Sequence, residues 1–534
     1  MTRPAQRRLL IVACLLLVTF LVHARATGFG FCVFDDTHQI INNPTLQWKS
    51  APSYFVKDVW QFPQPQYRNY FRPVFLLWLL INFKLFGLHP AFWHLTSIAL
   101  HGVVVVMVFR LGLRLLGSEL AAGAAALLFA VLPTHVESVV WLSGITEPLS
   151  AVFFIGAFLL YLRWRETHTL RSMLFCALLT LFAFFAKETA AALPFLIAIY
   201  EWLFPSVPAE TLRARANTTV RASIPALGAA IIYAAMRINA MHHVAVINNP
   251  PLQVFITWPL LLWKYTAMML WPVGLSLFYS TTLLKQPSLE SFWLPLAFTA
   301  GSAILLVFAF TRNKLAAFLA CWWLLPLVPA LVGLWSFPEG DIMHDRYTYL
   351  SSVAFVLLLG WAISRVPRTG AQAFNLPVEP VVLLLAIFGT WSALSAQQTL
   401  VWKNGLTLFS HAVQVAPTNV RARNLLANQF FKAGDAGRAL AIYDATLRLD
   451  PNAWETNFAT GITLLTTGQL PHAEFFLRRS CALDRTNPLG YLYLADALRA
   501  QNRISEAQAI LQQGISQVDS QPELLRQKLS TIAN

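Results

Sequence analysis

Charge is what this chain has least of. Only 12% of its 534 residues are Asp, Glu, Lys or Arg, about half the ~25% of an ordinary soluble domain. With 57% hydrophobic residues, a mean hydropathy of +0.55 and recurring apolar runs, a soluble fold is excluded for most of the chain. Runs of about 15 to 25 apolar residues point instead to a polytopic membrane protein. Cysteine is scarce too. Of five, Cys14, Cys176 and Cys321 sit in apolar runs and Cys32 and Cys481 lie far apart, which excludes a disulfide framework. Acidic residues are outnumbered 25 to 39, giving a net charge of +14, yet the excess forms no nucleic-acid patch. The cations stand in small clusters at the ends of apolar runs: Arg7/Arg8, Arg110/Arg114, Arg163/Arg165/Arg171, Arg213/Arg215/Arg221, Arg312/Lys314 and Arg365/Arg368. That is positive-inside punctuation. The bilayer, not nucleic acid, is the partner this composition implies, and 18 Trp and 39 Phe suit its interfaces.

Composition changes near residue 400, from apolar to polar and alanine-rich. The tail repeats itself: Gly434/Gly468, Ala439/Ala473/Ala507, Asp450/Asp484 and Pro417/Pro451 are each 34 residues apart. This period, with a small residue before the second helix and Pro after it, resembles tetratricopeptide repeats. About three repeats are expected, after a half-repeat at Trp402 to Ala416. The fold class is therefore all-α: a polytopic transmembrane bundle over 1–398, followed by a tetratricopeptide α-solenoid over 399–534 on the outer face.

Charge also threads the membrane part. Arg7 and Arg8 place the start of the first apolar run inside. A cleaved signal peptide ending at Ala24 to Ala26 is the alternative, and leaves Asp35 outside either way. Counting Phe71 to Gly87 as a span would put Arg110 and Arg114 outside, and Asn82 and Lys84 interrupt it. It reads as an amphipathic helix on the outer surface. Val254 to Pro272 reads as a second surface or re-entrant helix. Spans near 9–22, 92–113, 119–133, 148–163, 171–186, 190–204, 222–239, 291–310, 315–333, 350–364 and 379–396 give about eleven crossings, with the N-terminus inside and the repeats outside.

This topology gathers polar residues on the outer face: Asp35 and Asp36, Arg68 and Arg72, His135 and Glu137, Glu147, Lys187 and Glu188, then Asp341, His344, Asp345 and Arg346. Each has a plain reading. The Asp pair can be a turn, Lys187–Glu188 an interfacial ion pair, Arg68 a snorkelling side chain and His135 a satisfied interface histidine. Their convergence argues for function, because ionisable groups at membrane depth are expensive. The chemistry such a set suits is transfer from a lipid-linked phosphate. A carboxylate acts as base on an acceptor hydroxyl. The departing phosphate needs no proton, only positive charge.

In order along the chain, "FDDTHQIINNP", "YRNYFRPVFLLWLLINFKLFGLHPAFWHL", "LPTHVESVVWLSG", "FFAKE" and "HDRYTYLSS" resemble the transmembrane, repeat-containing O-mannosyltransferases and their bacterial relatives in the GT-C superfamily. The resemblance covers nearly the whole chain. It implies inverting transfer of a sugar, mannose first, from a polyprenyl phosphate to an outer-face acceptor, with protein hydroxyls as the expected target. Asp35–Asp36 would be the acidic catalytic motif, with Asp36 preferred as base. Arg72, Lys84, Lys187 and Arg346 would meet the donor phosphate and lipid, and His135, Glu137 and Asp345 would line the substrate. No metal and no other cofactor is expected. The repeats would recruit the protein acceptor. Two other readings stand beside this one: an O-antigen ligase- or polymerase-like transferase, and a non-enzymatic membrane-anchored repeat scaffold. The only sequon, Asn217-Thr218-Thr219, falls inside, which favours a bacterial inner membrane with periplasmic repeats over the endoplasmic reticulum.

Overall fold

A computed structural model describes residues 3–60, 70–206, 211–241, 249–338, 340–365, 378–518 and 521–533. Arg68 and Arg368 lie outside these residues. Every regular element described is helical, as a bilayer demands when each backbone polar group must be satisfied within its own segment.

The bundle opens with α1 (Arg3–His23) and a polar connection that leads to α2 (Pro73–Phe86). The core then follows as α3 (Pro90–Leu116), α4 (Glu119–Val131), the short α5 (Val136–Val140), α6 (Thr146–Thr167), α7 (Leu170–Ala186), α8 (Ala192–Leu203) and α9 (Leu212–Met241). After α10 (Pro251–Leu270) come α11 (Leu294–Arg312), α12 (Lys314–Leu324), α13 (Val328–Gly333), α14 (Tyr349–Arg365) and α15 (Val378–Val401).

Among the described residues eight helices are long and apolar enough to cross a bilayer, or nine if α4 and the segment Pro133–Val140, bent by 52°, count as one. The expectation of about eleven differs at two places. The run at 171–186 forms a 17-residue helix and that at 190–204 a 12-residue one. At 1.5 Å per residue these reach only about 26 and 18 Å, short of the ~30 Å hydrocarbon thickness. Lys187 ends α7 in extended backbone, and Pro194 marks the first turn of α8.

Small residues set the interhelical distances. Gly360 of α14 rides against α4 so closely that a Cβ there would stand 2.5 Å from the Ala121 carbonyl oxygen, the close backbone approach that membrane helices achieve with Gly and Ala. The polar connection before α2 is itself packed. Ile40, Leu46, Tyr54, Val59 and Trp60 form one core with Phe75, Leu76, Leu79 and Leu80 of α2. The segment thus becomes a folded cap resting on a surface helix, and its aromatics are what hold it there.

The second compact unit contains the chain from Gly405 onward. After α16 (Gly405–Val415), the first helices of three hairpins are α17 (Val420–Lys432), α19 (Trp454–Thr466) and α21 (Pro488–Ala500). Their partners are α18 (Ala436–Leu449), α20 (Leu470–Leu483) and α22 (Ile504–Gln517), and α23 (Pro522–Ala533) follows. Both sets start at 34-residue intervals, as the sequence period requires. Gly434 and Gly468 have φ of +84° and +79°, and Asn502 at the third equivalent turn has +61°. The repeat conserves a left-handed turn, which Gly adopts freely and Asn more readily than most residues.

Candidate active site

The carboxylates of the first loop part company. Asp36 is buried, the N-terminal boundary residue of a single π-type turn, Thr37–Ile41. One carboxylate oxygen, Oδ2, accepts from the Cys32 backbone N–H at 2.8 Å. The other, Oδ1, accepts from the Ser143 N–H at 3.0 Å and its hydroxyl at 2.5 Å. Asp35 is half-buried beside it. Burial pushes the Asp36 carboxyl up to about 6, against the lowering effect of the Ser143 and Cys32 hydrogen bonds. These three bonds hold the carboxylate in place, and the Trp141 side chain also acts on it as a hydrogen-bond donor.

Three cation–glutamate pairs are also formed by residues at the ends of the bundle helices. Arg346, in the turn Asp345–Thr348 before α14, pairs with Glu137 of α5 through its guanidinium, and its backbone N–H donates to Glu137 Oε2 at 2.9 Å. Lys187, at the end of α7, pairs with Glu147 at the start of α6. Arg72, the residue before α2, donates to Glu188 at 2.7 and 3.2 Å. Lys187 and Glu188 therefore do not pair with each other, as adjacency in sequence had allowed; they serve two different partners.

The pairs also meet one another. Tyr347 lies under both Lys187, whose ammonium is 4.9 Å from the ring centre, and Arg346, at 5.2 Å. Arg346 also stands 5.2 Å over Trp141, two residues before Ser143. Trp141 in turn stacks on Trp402 at 5.9 Å. Burial draws the Lys187 ammonium down to about 8; Glu147 opposes this, and the charges of Arg72 and Arg346 add to it. For Glu188, burial favours the neutral acid, but Arg72 and Arg237 outweigh it and hold the carboxyl below its usual value. The result is a cluster of three cations, each backed by a glutamate, which reaches Asp36 through Arg346, Trp141 and Ser143.

Not every residue singled out by sequence joins this group. Asp345 is buried in the same turn as Arg346. His135 faces the bundle interior. It is fully buried between the rings of Phe129 and Tyr349, with one ring nitrogen at 2.9 Å from the Phe129 carbonyl and the other at 2.8 Å from the Ser352 hydroxyl. Lys84, near the C-terminal end of α2, is exposed and lies over Phe83. Ser143, Trp141, Tyr347 and Trp402 were missed. Ser and aromatic residues are too common in such a chain to stand out without their neighbours in space. Among the described residues, no group of three or more His, Cys, Asp or Glu is arranged to hold a metal ion.

No family model matches the chain. It is similar to the mouse (Mus musculus) protein O-mannosyl-transferase TMTC3, 25% identical over 544 residues that cover 91% of this chain and 58% of that protein. The human (Homo sapiens) TMTC3 is 24% identical with the same coverage. Drosophila melanogaster Tmtc3 is 23% identical over 96% of this chain and 65% of its own length. The chain thus spans about three-fifths of the length of these curated relatives. Over nearly all of its own length it is similar to proteins named as protein O-mannosyl-transferases, which bears out the resemblance carried by its motifs.

Proposed function

We propose that the protein is a GT-C-type glycosyltransferase that moves mannose, with inversion, from a polyprenyl-phosphate donor to a protein hydroxyl on the outer face of the membrane. The observation that carries this reading is a chain of contacts: Ser143 holds Asp36, Arg346 stands over Trp141 two residues before Ser143, Lys187 shares the Tyr347 ring with Arg346, and Arg72 lies near enough to Lys187 to act on its charge. Asp36 takes the acceptor's proton as the oxygen attacks the anomeric carbon. The glycosidic C–O bond to the phosphate breaks on the opposite face, and the phosphate leaves as an anion toward the cations. A monophosphate leaving group needs only that charge, so the reading calls for no metal. The repeats recruit the protein acceptor, and the N-terminus lies inside.

The direct test is reconstitution in liposomes with radiolabelled polyprenyl-phosphate mannose and a protein acceptor. Label is expected on Ser or Thr side chains, with or without a chelator. Transfer from a nucleotide sugar instead, or label on a lipid or glycan alone, would refute the reading.

A pH profile probes how Asp36 is held. The base acts as carboxylate, so kcat/KM should rise with pH through about 6. Removing the Ser143 hydroxyl deletes a hydrogen bond to the charged form, worth about 1.5–3 kcal/mol. Since one pKa unit is about 1.4 kcal/mol, Ser143→Ala should move the acidic limb upward by about one to two units. An unmoved limb would mean that Ser143 does not tune the base.

A further inference from the structure

Arg346, Lys187 and Arg72 each have a glutamate partner. Lys264 does not. This half-buried lysine of α10 donates from Nζ to the Thr281 hydroxyl at 2.6 Å, and among the described residues no carboxylate lies within ion-pair distance of it. A half-buried ammonium without a counter-charge is partly desolvated, and an arriving anion relieves that cost.

Its surroundings say what kind of anion. Thr281 also approaches the Met343 sulfur at 3.8 Å, and Met343 precedes the turn that carries Arg346. The next residue along α10, Tyr265, sets its ring 6.5 Å from Tyr347, the ring beneath Lys187 and Arg346. Apolar side chains of α10 are exposed before and after Lys264 in sequence. Trp263 is 44% exposed, and Leu270 and Trp271 at the end of α10 are 60% and 75% exposed. A lone cation near a charged site, on a helix with exposed apolar side chains, matches a ligand with an anionic head and a long hydrocarbon tail.

We propose that Lys264, with Thr281, binds the phosphate of the polyprenyl carrier, whose chain lies along the exposed side chains of α10. This deepens the function proposed above and rests on it. Lys264 is a donor-binding residue here, not a catalytic one, so it acts on affinity more than on turnover.

The test uses the full chain in lipid nanodiscs, titrated separately with polyprenyl phosphate, uncharged polyprenol, phosphatidylglycerol and inorganic phosphate. Loss of one charge-assisted hydrogen bond weakens binding by about tenfold or more. Lys264→Gln should therefore bind polyprenyl phosphate about tenfold more weakly and raise the donor KM about tenfold, with kcat within about twofold. Lys264→Arg should keep wild-type affinity, and polyprenol binding should not change. Equal affinity of wild type and Lys264→Gln for polyprenyl phosphate overturns the proposal. A loss confined to phosphatidylglycerol, or to inorganic phosphate, overturns it too and reassigns the lysine to a headgroup or a free ion. If the wild type transfers no sugar, the functional reading falls, while the polyprenyl-phosphate titration still decides the role of Lys264.

Discussion

Asp36→Asn is expected to lower sugar transfer by about 10²–10⁴-fold, the usual contribution of a positioned general base, with Asp35→Asn staying within about tenfold of wild type. The difference follows from where the two carboxylates sit. Asp36 is fixed by three hydrogen bonds from Cys32 and Ser143 and is held near pH 6 by burial, so at pH 7 it is mostly ionised yet still basic enough to take a proton. Asp35 is half-buried, and these three hydrogen bonds act on Asp36 instead. An amide at position 36 cannot accept the proton, and its NH2 group must face one of the N–H donors. Some loss of stability is expected as well, so transfer should be compared at matched folded fraction, judged by thermal unfolding in detergent. Near-wild-type transfer by Asp36→Asn, or greater loss in Asp35→Asn, would take the base assignment away from Asp36.

The second large effect is on stability. Glu147→Gln leaves the Lys187 ammonium buried without its anion, and breaking such a pair from one side costs about 3–5 kcal/mol. Lys187 is already drawn down to about 8 from 10.5 in the folded chain. Between those values the unfolded chain holds more protons, so stability rises with pH across that window. Without Glu147 the folded value falls further, and the relief begins at lower pH. The melting temperature of Glu147→Gln should thus drop by several degrees at pH 7 and recover part of the difference by pH 9. Lys187→Met added to Glu147→Gln should recover much of it at both. An unchanged melting temperature in the single variant would show that the pair is solvated and contributes little.

Much of this site was legible because charge is rare here. In an apolar chain Asp35–Asp36, Arg72, Lys187 and Arg346 are conspicuous, and the arginine clusters orient the runs between them. Membership of the group could therefore be read, but not the pairing. Nothing in sequence says that Lys187 takes Glu147, 40 residues back, rather than Glu188 next to it. His135 was drawn in by its nearness to Glu137. Yet a two-residue offset along Pro133–Val140, about half a turn, sends the histidine into the core and the glutamate to Arg346. Lys264 passed unnoticed because one lysine near the middle of an apolar helix reads as a snorkelling side chain, and only the missing carboxylate distinguishes it. The span count slipped where apolar composition continues across a hairpin. From Met173 to Tyr200 the only charged residues are Lys187 and Glu188, so the run marks two helices and says little about their length. The 34-residue repeat transferred most directly, since its period fixes the helix starts and its small turn residues answer a local backbone need.

The three matched pairs have a kinetic meaning. A cation already neutralised by a buried glutamate projects little field into solution, so these groups do not draw small anions from a distance as an open arginine cluster would. A phosphate arriving there meets cations already paired with carboxylates and must compete with them at close range. Inorganic phosphate, with no other source of binding energy, has little means of winning that competition. Entry is thereby reserved for a molecule that brings its own anchorage, and sensitivity to ionic strength should be slight for a protein with so positive a net charge.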